Sequence, residues 1–155
     1  MSELHEIALQ ILSKGKGILA ADESTATMTK RLDSVNVISD ENNRLLFRQT
    51  LFSSSSMKDC IGGVILYDET IRQKTSNGKT IPELIHSSGS LTGIKVDTGA
   101  KILAVSKEEK VTEGLDGLRE RLKDYYKLGA RFTKWRGVYS CLLYTSPSPR
   151  DSTLS

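Results

Sequence analysis

Five charged side chains at the ends of short apolar runs are the residues of this chain best placed to do chemistry. Four such runs occur, Gly17 to Ser24 (GILAADES), Gly62 to Thr70 (GGVILYDET), Thr92 to Gly99 (TGIKVDTG) and Ala130 to Val138 (ARFTKWRGV). In an extended strand, residues two apart point to the same side, so Lys95 would share a face with Asp97, and Lys134 with Arg136. The alternate positions, Ile94 with Val96 and Thr133 with Trp135, carry the apolar face that should meet helices. Asp22 ends its own run after five small or apolar residues. Charge buried in a strand is costly unless it is paired or bound. A cation beside a lysine attracts an anion and favours the neutral, nucleophilic amine, so the cluster Asp22, Lys95, Asp97, Lys134 and Arg136 suits a small phosphorylated ligand. Read from the residues alone, Lys134 is the natural imine-forming amine. The competing structural reading is a salt bridge between Lys95 and Asp97 with no ligand.

The elements that must position these residues follow from the periodicity. Leu4, Ile7, Ala8, Ile11 and Leu12 recur at helical spacing and stop at Gly15 and Gly17. Ser24 or Thr25 can cap a helix after the first run, and Ser39, followed by Asp40 and Glu41, can start another with Leu45, Leu46, Leu51 and Phe52 as its apolar face. Ser53 to Ser56 reads as a connector. Thr80, Pro82 and Glu83 spell a capping box with proline in the first turn, leading towards Gly89. Leu115, Leu118, Leu122 and Tyr125 mark one face of a long helix that should stop at Gly129. Strands joined mainly through helices predict a parallel α/β protein with few hairpins.

Composition narrows the function classes. With 22 basic and 19 acidic residues intermixed along 155, charge alone gives no argument for nucleic acid. Cys60 and Cys141 have neither metal-ligand spacing nor the count of a disulfide framework, and His5 and His86 have no partners at ligand spacing, so no metal site is expected. There is no apolar stretch of membrane-spanning length and no leader-like opening, and the expectation is a cytoplasmic chain without membrane association.

At GKGILAADES with KRL, CIGGVILYDET, GIKVDTG, GLDGLRERL and FTKWR, the chain resembles the amino-terminal half of class I fructose-bisphosphate aldolase over about residues 3 to 138. The resemblance implies a TIM (β/α)8 barrel of which about the first four βα units are present. It implies a homotetramer that, without metal or other cofactor, reversibly cleaves fructose 1,6-bisphosphate to dihydroxyacetone phosphate and glyceraldehyde 3-phosphate in glycolysis. It assigns catalytic roles to Asp22, Lys95 and Lys134, and substrate binding to Glu23, Thr27, Arg31, Arg44 and Arg136. The family more often has glycine and serine where Ala26 and Thr27 stand, which bears on the phosphate contact at Thr27. The imine-forming lysine and its glutamate partner lie on later strands in the family, so Lys134 is an accessory residue by this resemblance. The chain alone is then expected to be inactive, and the alternative is a non-catalytic half-barrel that binds sugar phosphates or docks on aldolase subunits. Residues 1–138 form the family segment. Residues 139–155, with the polar SPSPRDS, read as a tail foreign to the barrel, either artefactual or a genuine spliced end.

Overall fold

The computed structural model describes residues 2–106 and 108–138, and the tail of residues 139–155 lies outside them. Among the described residues two compact units are present, one made of residues 2–96 with 117–134, the other of residues 97–106 and 108–116 with 135–138.

In the first unit, α1 (Glu3–Ile11) and a 3-10 turn (Ser13–Gly15) lead into β1 (Gly17–Ala21), α2 (Thr25–Asp33), α3 (Glu41–Phe52) and the short α4 (Met57–Cys60). β2 (Ile61–Leu66), α5 (Asp68–Arg72), α6 (Ile81–Ser87) and β3 (Leu91–Lys95) follow. After the second unit's β4 (Gly99–Ile102) and β5 (Lys110–Glu113), the chain returns through α7 (Leu118–Lys127) and β6 (Ala130–Lys134). The sheet runs β1-β2-β3-β6, with every neighbouring pair parallel. These are the four strands expected from the apolar runs, and this partial TIM barrel has the connectivity that helical crossovers impose.

The core lies between the sheet and its helices. Val64, Leu66 and Ile94 are fully buried, as are Ile71, Ile81 and Ile85 from α5 and α6. Two glycines mark close approaches. A Cβ at Gly62 would overlap the carbonyl of Ile11, so glycine lets α1 lie directly on β2, and a Cβ at Gly93 would enter the ring of Phe132. The Phe132 ring fills that space, and a Cβ at Gly63 would meet both this ring and the Ile11 side chain of α1.

Capping follows local chemistry. Ser24 caps α2, its Oγ accepting from the Thr27 N–H at 3.4 Å. Thr80 and Glu83 form the reciprocal capping box of α6, with the Thr80 N–H donating to Glu83 Oε2 at 2.7 Å. Gly129 takes φ +108° just after α7, where a Cβ would be strained.

Four expectations need correction. α3 is capped by Asp40 rather than Ser39, because the Asp40 carboxylate accepts from the Asn43 N–H at 2.7 Å. Its inward stripe is Leu45, Arg48 and Phe52, whereas Leu46 and Leu51 are exposed. α7 starts at Leu118, leaving Leu115 outside it and exposed. The connection from β3 to α7 contains the antiparallel β4–β5 ladder, Gly99 to Ile102 against Lys110 to Glu113, a departure from the parallel neighbours that the sequence favours. Among the described residues no helix is long and apolar enough to cross a membrane.

Candidate functional site

Asp22, Lys95 and Lys134 stand at the carboxyl ends of β1, β3 and β6, where active sites of parallel βα folds assemble. In β1, Ala21 is buried and Ala20 is exposed, and Asp22, two residues on from Ala20, continues that residue's side of the strand. On the neighbouring pair of strands Lys95 and Lys134 are register partners, one level above Gly93 and Phe132. Lys134 Nζ donates to Asp22 Oδ2 at 2.5 Å. The Asp22 side chain is 9% exposed and that of Lys134 35%, so the carboxylate is sunk into the fold while the ammonium remains open to solvent. Such a pair can hold a proton on one side of a bound molecule, and the two register-paired lysines offer an anion two cations on one wall.

Glu23 follows Asp22 and points elsewhere. Its Oε1 receives Arg31, whose side chain is more than half exposed, and its Oε2 is buried without a hydrogen-bond partner. Thr27 and Arg31 are one turn apart on the exposed side of α2, and Thr27 Oγ1 lies 3.2 Å from Ser24 Oγ. The start of α2 thus presents hydroxyls and N–H groups suited to a phosphate, with Arg31 beside them. Arg44 is bound within the protein. Its Nη2 and Nε donate to Glu69 at 2.8 and 3.1 Å and its Nη1 to the Ser39 carbonyl at 2.8 Å, and the hydrogen bonds to Glu69 push its guanidinium further above the ordinary arginine value.

The strand-face pairing of the sequence reading fails at its far end. β3 stops at Lys95 and β6 at Lys134, so neither Asp97 nor Arg136 lies in a strand. Both belong to the second unit, where the Arg136 N–H donates to Asp97 Oδ2 at 3.3 Å and the Arg136 carbonyl accepts from Thr112 Oγ1 at 2.7 Å. Trp135 is 38% exposed and Thr133 is exposed as well, so the expected helix-facing stripe of the fourth run is not covered. Among the described residues no cluster of His, Cys, Asp or Glu could hold a metal ion.

Sequence reasoning missed Arg48, Glu69 and Thr70. Arg48 is completely buried on α3, donating from Nη1 to Thr70 Oγ1 at 2.7 Å and from Nη2 to the Glu23 carbonyl at 2.6 Å. Burial pushes its guanidinium below the ordinary arginine value, and the negative charges of Glu23 and Glu69 act in the opposite direction. The available signal was spacing, because Arg48 falls three residues after Leu45 and four before Phe52.

A parallel sheet in the order β1-β2-β3-β6 flanked by helices, with a carboxylate and two lysines at the carboxyl ends of its strands, defines a partial TIM barrel. Comparison with known proteins narrows the class. Residues 3–151 match the model of the class-I fructose-bisphosphate aldolase family, and the chain belongs to that family. Fructose-bisphosphate aldolase A of Salmo salar is 52% identical over 95% of this chain and 40% of its own length. The cytosolic fructose-bisphosphate aldolase 5 of Arabidopsis thaliana is 51% identical over 88% of this chain and 38% of its own. A solved fructose-bisphosphate aldolase of Plasmodium falciparum, in complex with TRAP and a small-molecule inhibitor, superposes with a TM-score of 0.84 at 46% identity, covering 86% of this chain and 39% of that one. The chain therefore spans about two fifths of the length of these relatives.

Proposed function

We propose that this chain supplies one wall of a cytoplasmic, glycolytic aldolase site that binds fructose 1,6-bisphosphate and the triose phosphates and cleaves the sugar through an imine. The observation that carries the reading is the contact of Lys134 Nζ with Asp22 Oδ2, with Lys95 as register neighbour of Lys134. Asp22 accepts hydrogen bonds from the substrate hydroxyls next to the bond that breaks and assists proton movement there. Lys134 supplies positive charge, and a proton when the carbinolamine loses water, while Lys95 shares the charge around the reacting carbons. Thr27 and Arg31 take one phosphate at α2, with Glu23 orienting Arg31. Arg136 is a substrate-binding residue by the family pattern alone, and Arg44 acts in the phosphate region by exchanging part of its hold on Glu69. The assembled enzyme is a homotetramer.

By the family pattern, neither the imine-forming lysine nor its glutamate partner is among these 155 residues, so Lys134 is accessory. Borohydride reduction in the presence of dihydroxyacetone phosphate, followed by peptide mass mapping of this chain, should find no adduct on any lysine. An adduct on Lys134 would make it the nucleophile and overturn the assignment.

A further inference from the structure

The backbone just after Asp22 is held from behind by a buried cation. Arg48 is 0% exposed, and so is Thr70, whose hydroxyl accepts from Nη1. The second arm, Nη2, reaches the Glu23 carbonyl at 2.6 Å. Its Nε has no hydrogen-bond partner, and neither has the buried Oε2 of Glu23. One turn earlier Arg44 grips Glu69. Two arginines on one side of α3 thus fasten that helix to consecutive residues of α5, and Arg48 alone continues to the corner between β1 and α2.

A guanidinium in this place is hard to explain as packing. Its neighbours on the inward stripe are Leu45 and Phe52, and an apolar side chain would fill the position without the cost of desolvating a charge. What an apolar side chain cannot do is fix a carbonyl. The Glu23 carbonyl lies beyond β1 and ahead of the α2 cap, so neither the sheet ladder nor the helix supplies its partner. A planar fork that binds this oxygen and the Thr70 hydroxyl together sets the orientation of the corner, and with it the direction in which the Asp22 carboxylate leaves the chain.

We propose that Arg48 is a positioning residue that fixes the Asp22–Glu23 corner so that the Asp22 carboxylate sits on the Lys134 ammonium. It touches no substrate, and the inference rests on the reading of Asp22 and Lys134 as part of the site.

The test is the rate at which acetic anhydride labels Lys134 in the full 155-residue chain, read by mass spectrometry relative to the exposed Lys123 of α7. An ammonium held by a carboxylate is a poor nucleophile, so Asp22→Asn gives the ceiling rate. Arg48→Gln should raise the relative rate roughly fivefold, the factor that accompanies loss of one hydrogen bond. Arg48→Lys should restore at least half of the wild-type protection, and Thr70→Val should fall between. Ile81→Ala, which weakens the core away from the site, should leave the relative rate unchanged, and an equal rise there would reduce Arg48 to general stability and overturn the proposal. Should Arg48→Gln fail to fold, the lysine and valine variants decide. If Asp22→Asn accelerates labelling while the Arg48 and Thr70 variants do not, Arg48 has no positioning role and the site reading stands. If Asp22→Asn has no effect either, the ion pair itself fails, and the positioning role with it.

Discussion

Lys134 and Asp22 form a 2.5 Å ion pair although Lys134 ends one edge strand of the four-stranded sheet and Asp22 directly follows the other. In a flat sheet three strand spacings would separate those edges by about 14 Å. The two side chains and the contact between them span most of that distance, so the pairing needs the edges only to bend towards each other on one face, in the sense that a barrel demands. Replacing Lys134 by Met leaves the Asp22 carboxylate, 8% exposed, without its ammonium. The expected loss is about 1–3 kcal/mol, at the lower end because Lys134 is partly solvated. Urea unfolding at pH 7 checks it, and an unchanged midpoint would mean that water already answers the charge.

Tyr125 gives a pH dependence of definite sign. It is 4% exposed, and its hydroxyl donates to Asp68 Oδ1 at 3.0 Å. Burial first, then the hydrogen bond to Asp68, pushes the phenol above its ordinary value of 10.0. The unfolded chain therefore loses this proton before the folded one. The stability contributed is fully present below pH 10 and falls as the pH rises towards the folded value. Melting temperatures measured from about pH 9 upward should decline more steeply for the wild type than for Tyr125→Phe. Parallel curves would contradict this.

Gly93 and Phe132 should behave as a coupled pair. A methyl group at Gly93 would enter the Phe132 ring, so Gly93→Ala should cost about 1–3 kcal/mol. Adding Phe132→Leu removes the obstacle, and the double variant should recover part of that loss, giving a non-additive cycle. Strict additivity in urea unfolding would show that the ring simply moves aside.

What the sequence reveals and what it hides differ in physical kind. The four parallel strands were legible because each is an apolar run fully committed to one sheet, and the α6 cap because Thr80 and Glu83 satisfy each other within three residues. Asp22 and Lys134 stand out in the sequence as charges in apolar surroundings, but their contact spans 112 positions and depends on tertiary geometry that no local pattern encodes. Asp97 and Arg136 were misread because alternation does not say where a strand ends, and both lie past the last ladder residue. The β4–β5 ladder escaped because its strands are four residues each and mostly solvent-exposed, leaving no apolar stripe. Arg48 was overlooked since a charge on an inward stripe looks like an exposed residue until Thr70 and the Glu23 carbonyl are seen to meet it.

Titration of the 155-residue chain with fructose 1,6-bisphosphate in a calorimeter, alongside Lys134→Met, tests the central claim most directly. The account predicts a saturable heat without cleavage of the sugar, weakened at least about tenfold by the substitution, which corresponds to about 1.4 kcal/mol. Absence of binding, or binding indifferent to the loss of Lys134, would contradict the assignment of this wall of the sheet to a sugar-phosphate site.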